Sequence, residues 1–270
     1  MLGFSRYVRL WLAFAKFALL NELAFRANFL LKMFVEVLWL TILLMFYQTI
    51  FTKTPWIAGW NANEYRFFVG CYFALEGLIE TLFLENCQDF SHQVRTGKLD
   101  TSLLLPIDEQ FLITLRKIDW STVPNFLMGV GVMGLSLYDS GWAFDPVRLA
   151  VFILAFGCAL LLAYSFLLVL TSTAVWMVRN QSLMELWWLF SSLIRYPKEI
   201  FNAAGWAVPI GFLFTFLLPV MLVINVPANV MLRAIEPGTV LYLVGATVAM
   251  LAASRWFFRR ALRKYRSASS

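Results

Sequence analysis

Charge is scarce in this chain. Asp, Glu, Lys and Arg make up 14% of its 270 residues, where a soluble domain carries about 25%. Helices with so little charge lack the polar faces a water-soluble fold needs. Histidine occurs once, at His92, and cysteine three times, at Cys71, Cys87 and Cys158. The cysteines are far apart and each lies in or beside an apolar stretch, so neither a disulfide framework nor a metal-type spacing is implied. They read as packing residues. No Ser/His/Asp, Cys/His or His-metal constellation survives a pass along the chain, which argues against a membrane enzyme. The net charge of +6 is no nucleic-acid signal, because most cations sit at the ends of apolar stretches.

What is abundant is apolar length. The chain is 61% hydrophobic with a mean hydropathy of +0.73, and it holds six long apolar stretches. A helical crossing needs about 20 mostly apolar residues. The fold class is therefore an all-α polytopic membrane protein forming one domain over residues 1–270. Six transmembrane helices are expected near 29–51, 65–83, 118–137, 149–177, 182–193 (running on to Phe201) and 239–258.

Residues 1–24 form an amphipathic segment. Phe4, Tyr7, Val8, Trp11, Phe14, Ala15 and Ala18 share one helical face. Arg6, Arg9 and Lys16 share the other with Ser5 and Ala13, and Leu2 and Leu20 blur its ends. This reads as a retained interfacial helix, not a signal peptide, since no small-x-small cleavage site follows. Residues 203–232 are apolar but broken by Gly205, Pro209, Gly211, Pro219 and Pro227, which suits two re-entrant helices better than one crossing. As a full crossing this segment would put the termini on opposite sides; counted as re-entrant, it leaves six crossings, and with the basic tail Arg259–Arg266 these place both termini in the cytoplasm. Lys53, Arg66, Arg148, Arg195, Lys198 and Arg233 then fall outside, against the rule. Trp39, Trp56, Trp60, Trp142, Trp187, Trp188, Trp206 and Trp256 read as an aromatic belt.

The polar segment 85–109 lies inside on this topology. A short helix up to Thr96 carries Phe90 and Val94 on one side, Gly97 suits the left-handed position that ends it, Asp100 can cap the next stretch, and Pro106 interrupts again. It is either an ordinary connector or a rigid knob presented to another protein. The pattern Val94-Arg95-x-Gly97-x-Leu99-Asp100-x-x-Leu103-Leu104-x-Pro106 resembles the permease subunits of ABC-2-type (type V) exporters. In particular it resembles a bacterial group without assigned substrates, often encoded as two different permeases beside one ATPase. Arg195-Tyr196-Pro197 with Ile200-Phe201, before a Pro-broken segment, is similar to the same group, and the resemblance covers essentially the whole chain.

The resemblance implies that 85–109 holds a coupling helix between spans two and three, docking on a P-loop ATPase subunit. Phe90, Val94, Arg95, Gly97, Lys98, Leu99 and Asp100 would sit at or next to that contact, and the turn Arg179-Asn180-Gln181 would be a smaller one. It also implies a second permease, a heterodimer being favoured over a homodimer, in a bacterial inner membrane, with amphiphilic cargo such as lipids, glycans, peptides or drugs. No ATP site lies in this chain: Thr96-Gly97-Lys98-Leu99 lacks the upstream glycines and the hydroxyl residue of a phosphate loop. ATP and magnesium belong to the partner.

Carboxylates within spans are costly and are functional candidates by default. Glu76 and Glu80 lie one helical turn apart and can line a cation path or pair with basic groups elsewhere; Glu36 is spaced to pair with Lys32. An ion-coupled secondary transporter using Glu76 and Glu80 is the first rival reading, and a non-transport membrane assembly factor the second.

Overall fold

The computed structural model describes residues 3–177, 181–203, 219 and 221–265. Among them every regular element is helical, apart from an isolated Ile57–Trp60 bridge closing a turn. Among the described residues, four helices are long and apolar enough to cross a membrane: Arg26–Phe51, Ala62–Thr96, Pro146–Val175 and Pro237–Lys264. The expected third and fifth spans correspond to shorter helices. Of the expected turn at 179–181 only Gln181 is described; most of the proposed re-entrant segment (204–218 and 220) and the tail beyond Tyr265 lie outside the described residues.

Helix α1, Phe4–Ala24, packs through Tyr7, Trp11, Phe14, Ala15 and Ala18 and leaves Arg6, Arg9 and Lys16 exposed. That is the expected division of faces, except that Val8 is exposed. Phe25 turns the chain, and α2, Arg26–Phe51, follows. Among residues of α2 only Leu40 and Tyr47 are buried, while Leu30, Leu31, Phe34, Leu38, Ile42 and Met45 are exposed. A helix apolar all round needs a lipid or protein neighbour beyond this chain.

A turn with left-handed Ala58 and Gly59 reverses the chain. Asn61 and Glu64 then form a capping box that starts α3, Ala62–Ile79. A π turn over Glu80–Leu84 joins α3 to α4, Glu85–Thr96. The short helix expected after span two is thus the uninterrupted end of that span, a helix of 35 residues. At 1.5 Å per residue it is about 52 Å long, longer than the about 30 Å of a hydrocarbon core. Gly97 ends it at φ 72°, the left-handed conformation expected there.

After Gly97 come α5, Leu99–Leu103, and α6, Glu109–Leu115, which Asp108 caps through the Phe111 N–H at 3.1 Å. Asp100 does not cap α5: Lys98 holds that position without a side-chain bond, and Asp100 lies in the first turn. A 3-10 turn, Trp120–Thr122, leads into α7, Val123–Asp139. Next in order are α8, Pro146–Ser172, with Asp145 capping Val147 and Arg148 and a 3-10 turn Thr173–Val175 at its end; α9, Gln181–Ile194; α10, Lys198–Ala203; α11, Leu222–Leu232; and α12, Pro237–Lys264.

Helices α3 and α7 form the tightest seam. A Cβ on Gly129 would lie 2.3 Å from the Ala74 nitrogen, and one on Gly77 would lie 2.5 Å from the Phe126 nitrogen. The row Gly70, Ala74, Gly77 lets the backbones touch, as small residues do between membrane helices. Helix α8 packs along α11 and α12. Trp60 and Trp187 are buried in this core and therefore leave the expected aromatic belt; Trp39, Trp56, Trp188 and Trp256 remain exposed. Trp206 lies outside the described residues.

Candidate functional site

Two groups of residues stand out: a polar network inside the helix bundle, and the knob at the end of α4. In the first, Glu36 of α2 and Glu80 at the start of the π turn share one donor. Asn125 of α7, itself buried, donates from Nδ2 to Glu36 Oε2 at 2.9 Å and to Glu80 Oε2 at 3.3 Å. Glu36 is therefore not satisfied by Lys32, as its spacing suggested. Lys32 reaches Asp119 at 3.5 Å, because the 3-10 turn brings Asp119 against the foot of α2.

Glu76 has different company. Its Oε1 accepts from the Ser191 hydroxyl of α9, and Ser191 lies 3.3 Å from the Tyr72 hydroxyl. Arg195 donates to Tyr72 OH at 3.2 Å, with its guanidinium 5.2 Å from the Tyr72 ring and 5.7 Å from the Trp39 ring. The cation facing Glu76 is thus Arg195, just beyond the end of α9. Sequence spacing could not find it, because the two are far apart in the chain. The two carboxylates, one turn apart, consequently point to separate surroundings. Glu80, with Glu36, lines a cavity of about 1390 Å³ between α1, the foot of α2 and the knob; Glu76 does not line it. Glu22, Glu85, Asp89 and Asp119 add acid to its wall, and Lys32, Lys98, Arg116 and Lys117 add base.

Helix α1 roofs this cavity. Trp120 donates from its indole to Ala15 O at 3.0 Å and from its backbone to Glu22 Oε1 at 2.8 Å. At the other end, Tyr7 OH accepts from Asp108 N at 3.1 Å, and the Tyr7 ring meets Phe111 edge-on at 4.9 Å. Burial raises the Glu22 carboxyl above its usual value, with Asp119 adding repulsion.

The knob is anchored to the segment at Lys117 and to α12. Lys117 pairs with Glu85 at 3.3 Å and Asp89 at 3.4 Å. The Asn86 amide bonds both backbone groups of Lys117, at 2.7 and 2.8 Å. The Phe90 ring packs 6.1 Å from Phe258 of α12. Of the seven residues singled out from sequence, Phe90 and Leu99 are fully buried, Val94, Gly97 and Asp100 are half-buried, and Arg95 and Lys98 are exposed. Phe90 and Leu99 thus face the chain's own core, and an outside partner cannot touch them directly. Leu104 is not among the seven, yet it is 85% exposed beside exposed Leu105 and Pro106. Its signal is present in the sequence: an apolar Leu-Leu-Pro run in an otherwise polar segment.

These features define a multi-pass α-helical membrane protein with a polar network inside its helix bundle. Residues 37–269 match the model of a family described as ABC-2 family transporter protein, and the chain belongs to that family. Permeases of this family normally pair with ATPase subunits. No curated protein and no solved structure matches the chain.

Proposed function

We propose that the chain is one permease of an ATP-driven exporter, forming half of a translocation path beside a second permease, with ATP and magnesium bound on separate P-loop subunits. The observation that carries this reading is the continuity of α3 and α4. A helix that crosses the membrane and protrudes without a break transmits displacement as a rod. Phe90 relays it to α12, and the Lys117 contacts relay it toward α7. The ATPase meets Arg95, Lys98 and Leu104 on the outside of the knob; Phe90 and Leu99 hold its shape from within, and Gly97 sets its turn.

On this reading α7 and α9 also cross, giving six spans, with α11 the returning arm of a re-entrant pair and both termini in the cytoplasm. The cations on the outer side fit that orientation because several are locally neutralised. Arg66 pairs with Asp139 at 2.6 Å, Arg233 with Glu64 at 3.6 Å and Arg148 with Asp145 at 3.9 Å. A paired cation resists translocation less than a bare one. A heterodimer in a bacterial inner membrane rests on resemblance alone.

The test is gentle purification of the complex. A stoichiometric ATPase should accompany the wild-type chain and be lost from Arg95→Glu/Lys98→Glu, with the permease still folded. A folded permease that never brings an ATPase, or a charge-reversed variant that retains it, would sink the reading.

A second reading is ion-coupled transport through Glu80. The observation favouring it is the Glu36–Asn125–Glu80 group beside the large cavity. Transport surviving ATPase removal but abolished by Glu80→Gln would select it.

A further inference from the structure

We propose that the cytoplasm-proximal end of α12 carries a binding site for an anionic phospholipid, its phosphate held by Arg255, Arg259, Arg260 and Arg263. These residues and Trp256 recur at helical spacing along one stripe of α12. Trp256 and all four arginines are exposed, while Ser254, Phe258 and Ala261 turn toward the core. With Ala252 they surround a hollow of about 300 Å³.

Three observations point to a phosphate-bearing lipid. The first is depth. At 1.5 Å per residue α12 rises about 27 Å from Pro237 to Arg255, close to the thickness of the hydrocarbon core. The arginines therefore begin where lipid headgroups begin, and Trp256 is the interfacial anchor expected there.

The second is charge. Arg255 is shared with Asp108 at 3.1 Å, and Arg260 lies over the Trp256 ring at 5.7 Å. Neither Arg259 nor Arg263 has an ion-pair partner among the described residues. Guanidinium forks match phosphate oxygens in pairs, which a lone ammonium cannot do.

The third separates a lipid from a free anion. The same stripe continues up the helix as Leu241, Gly245, Val248 and Ala252. Leu241 is 74% and Val248 63% exposed, and a Cβ on Gly245 would meet open space. An apolar strip thus leads directly to a cationic hollow, the complement of an acyl chain joined to a phosphate. This inference does not depend on the ATPase.

The full-length chain in detergent, titrated by native mass spectrometry, tests it. Phosphatidylglycerol should bind about tenfold or more better than phosphatidylcholine of the same acyl chains, since each cation at an anionic surface strengthens binding roughly five-fold. Arg259→Gln/Arg260→Gln/Arg263→Gln should bring the two lipids to within about two-fold, whereas Lys53→Gln at the opposite end should change nothing. The single changes Arg259→Gln and Arg263→Gln serve if the triple variant does not fold; each should shed a several-fold part of the preference. Unchanged preference in folded variants, or equal binding of both lipids by the wild type, would overturn the assignment. So would complete displacement by millimolar inorganic phosphate, which would make the hollow a soluble-anion site.

Discussion

The ring of Phe90 lies 6.1 Å from the ring of Phe258 at an interplanar angle of 49°, and both are buried. This contact ties α4 to α12, the last helix. It makes Phe90 a structural wedge rather than a point of attachment for a partner.

Phe90→Ala should therefore destabilise the purified permease by about 3–5 kcal/mol, the range for emptying a buried aromatic site. Thermal unfolding in detergent measures it. Arg95→Glu, on the exposed side of the same helix, should change stability by no more than about 0.5 kcal/mol. Equal stability losses for the two variants would contradict the assignment of inner and outer faces.

The seam between α3 and α7 allows a second test. Gly129→Ala places a methyl 2.3 Å from the Ala74 nitrogen and 2.6 Å from the Gly70 oxygen. The helices must separate, at a cost of about 1–3 kcal/mol. Gly134→Ala, where nothing lies within 4 Å, should be neutral or gain up to about 1 kcal/mol from helix propensity. Opposite directions in thermal stability are the expected result.

Asn125→Leu removes the donor shared by Glu36 and Glu80, leaving two acidic side chains without it. Stability should fall by about 1–3 kcal/mol. Adding Glu36→Gln should recover part of the loss, because a neutral amide can donate to Glu80. A strictly additive double variant would mean the three side chains do not act together.

Glu22 makes the docking of α1 pH-dependent. One oxygen accepts from Trp120 N–H, while Oε2 is buried with no hydrogen-bond partner among the described residues. Burial holds its folded pKa above the ordinary 4.5, so the protonated acid is the form the docked helix prefers. The resulting stability is fully present below the unfolded pKa and is lost as pH rises through the raised one. Hydrogen exchange in α1, corrected for intrinsic pH dependence, should accelerate over that window. Glu22→Gln should abolish the step and keep α1 protected at neutral pH.

Local features were legible in the sequence because local chemistry decides them. Apolar run length made the chain a membrane protein, whatever its tertiary contacts. The faces of α1 followed from helical spacing, and Gly97 could be placed in a left-handed turn because glycine alone enters that region freely. Partners distant in the chain were not legible. Lys32 takes Asp119 and leaves Glu36 to Asn125; Glu76 meets Ser191 near Arg195; Phe90 turns inward onto Phe258. Each depends on how two helices rotate against each other. That rotation is set by close packing along seams such as Gly70–Gly129, where one methyl group is the margin. Sequence alone determined that the chain is built from apolar, membrane-type helices and that Gly97 ends α4. Only the tertiary structure decided which polar groups meet inside, because in a low-dielectric bundle each must find whatever partner the packing brings within reach.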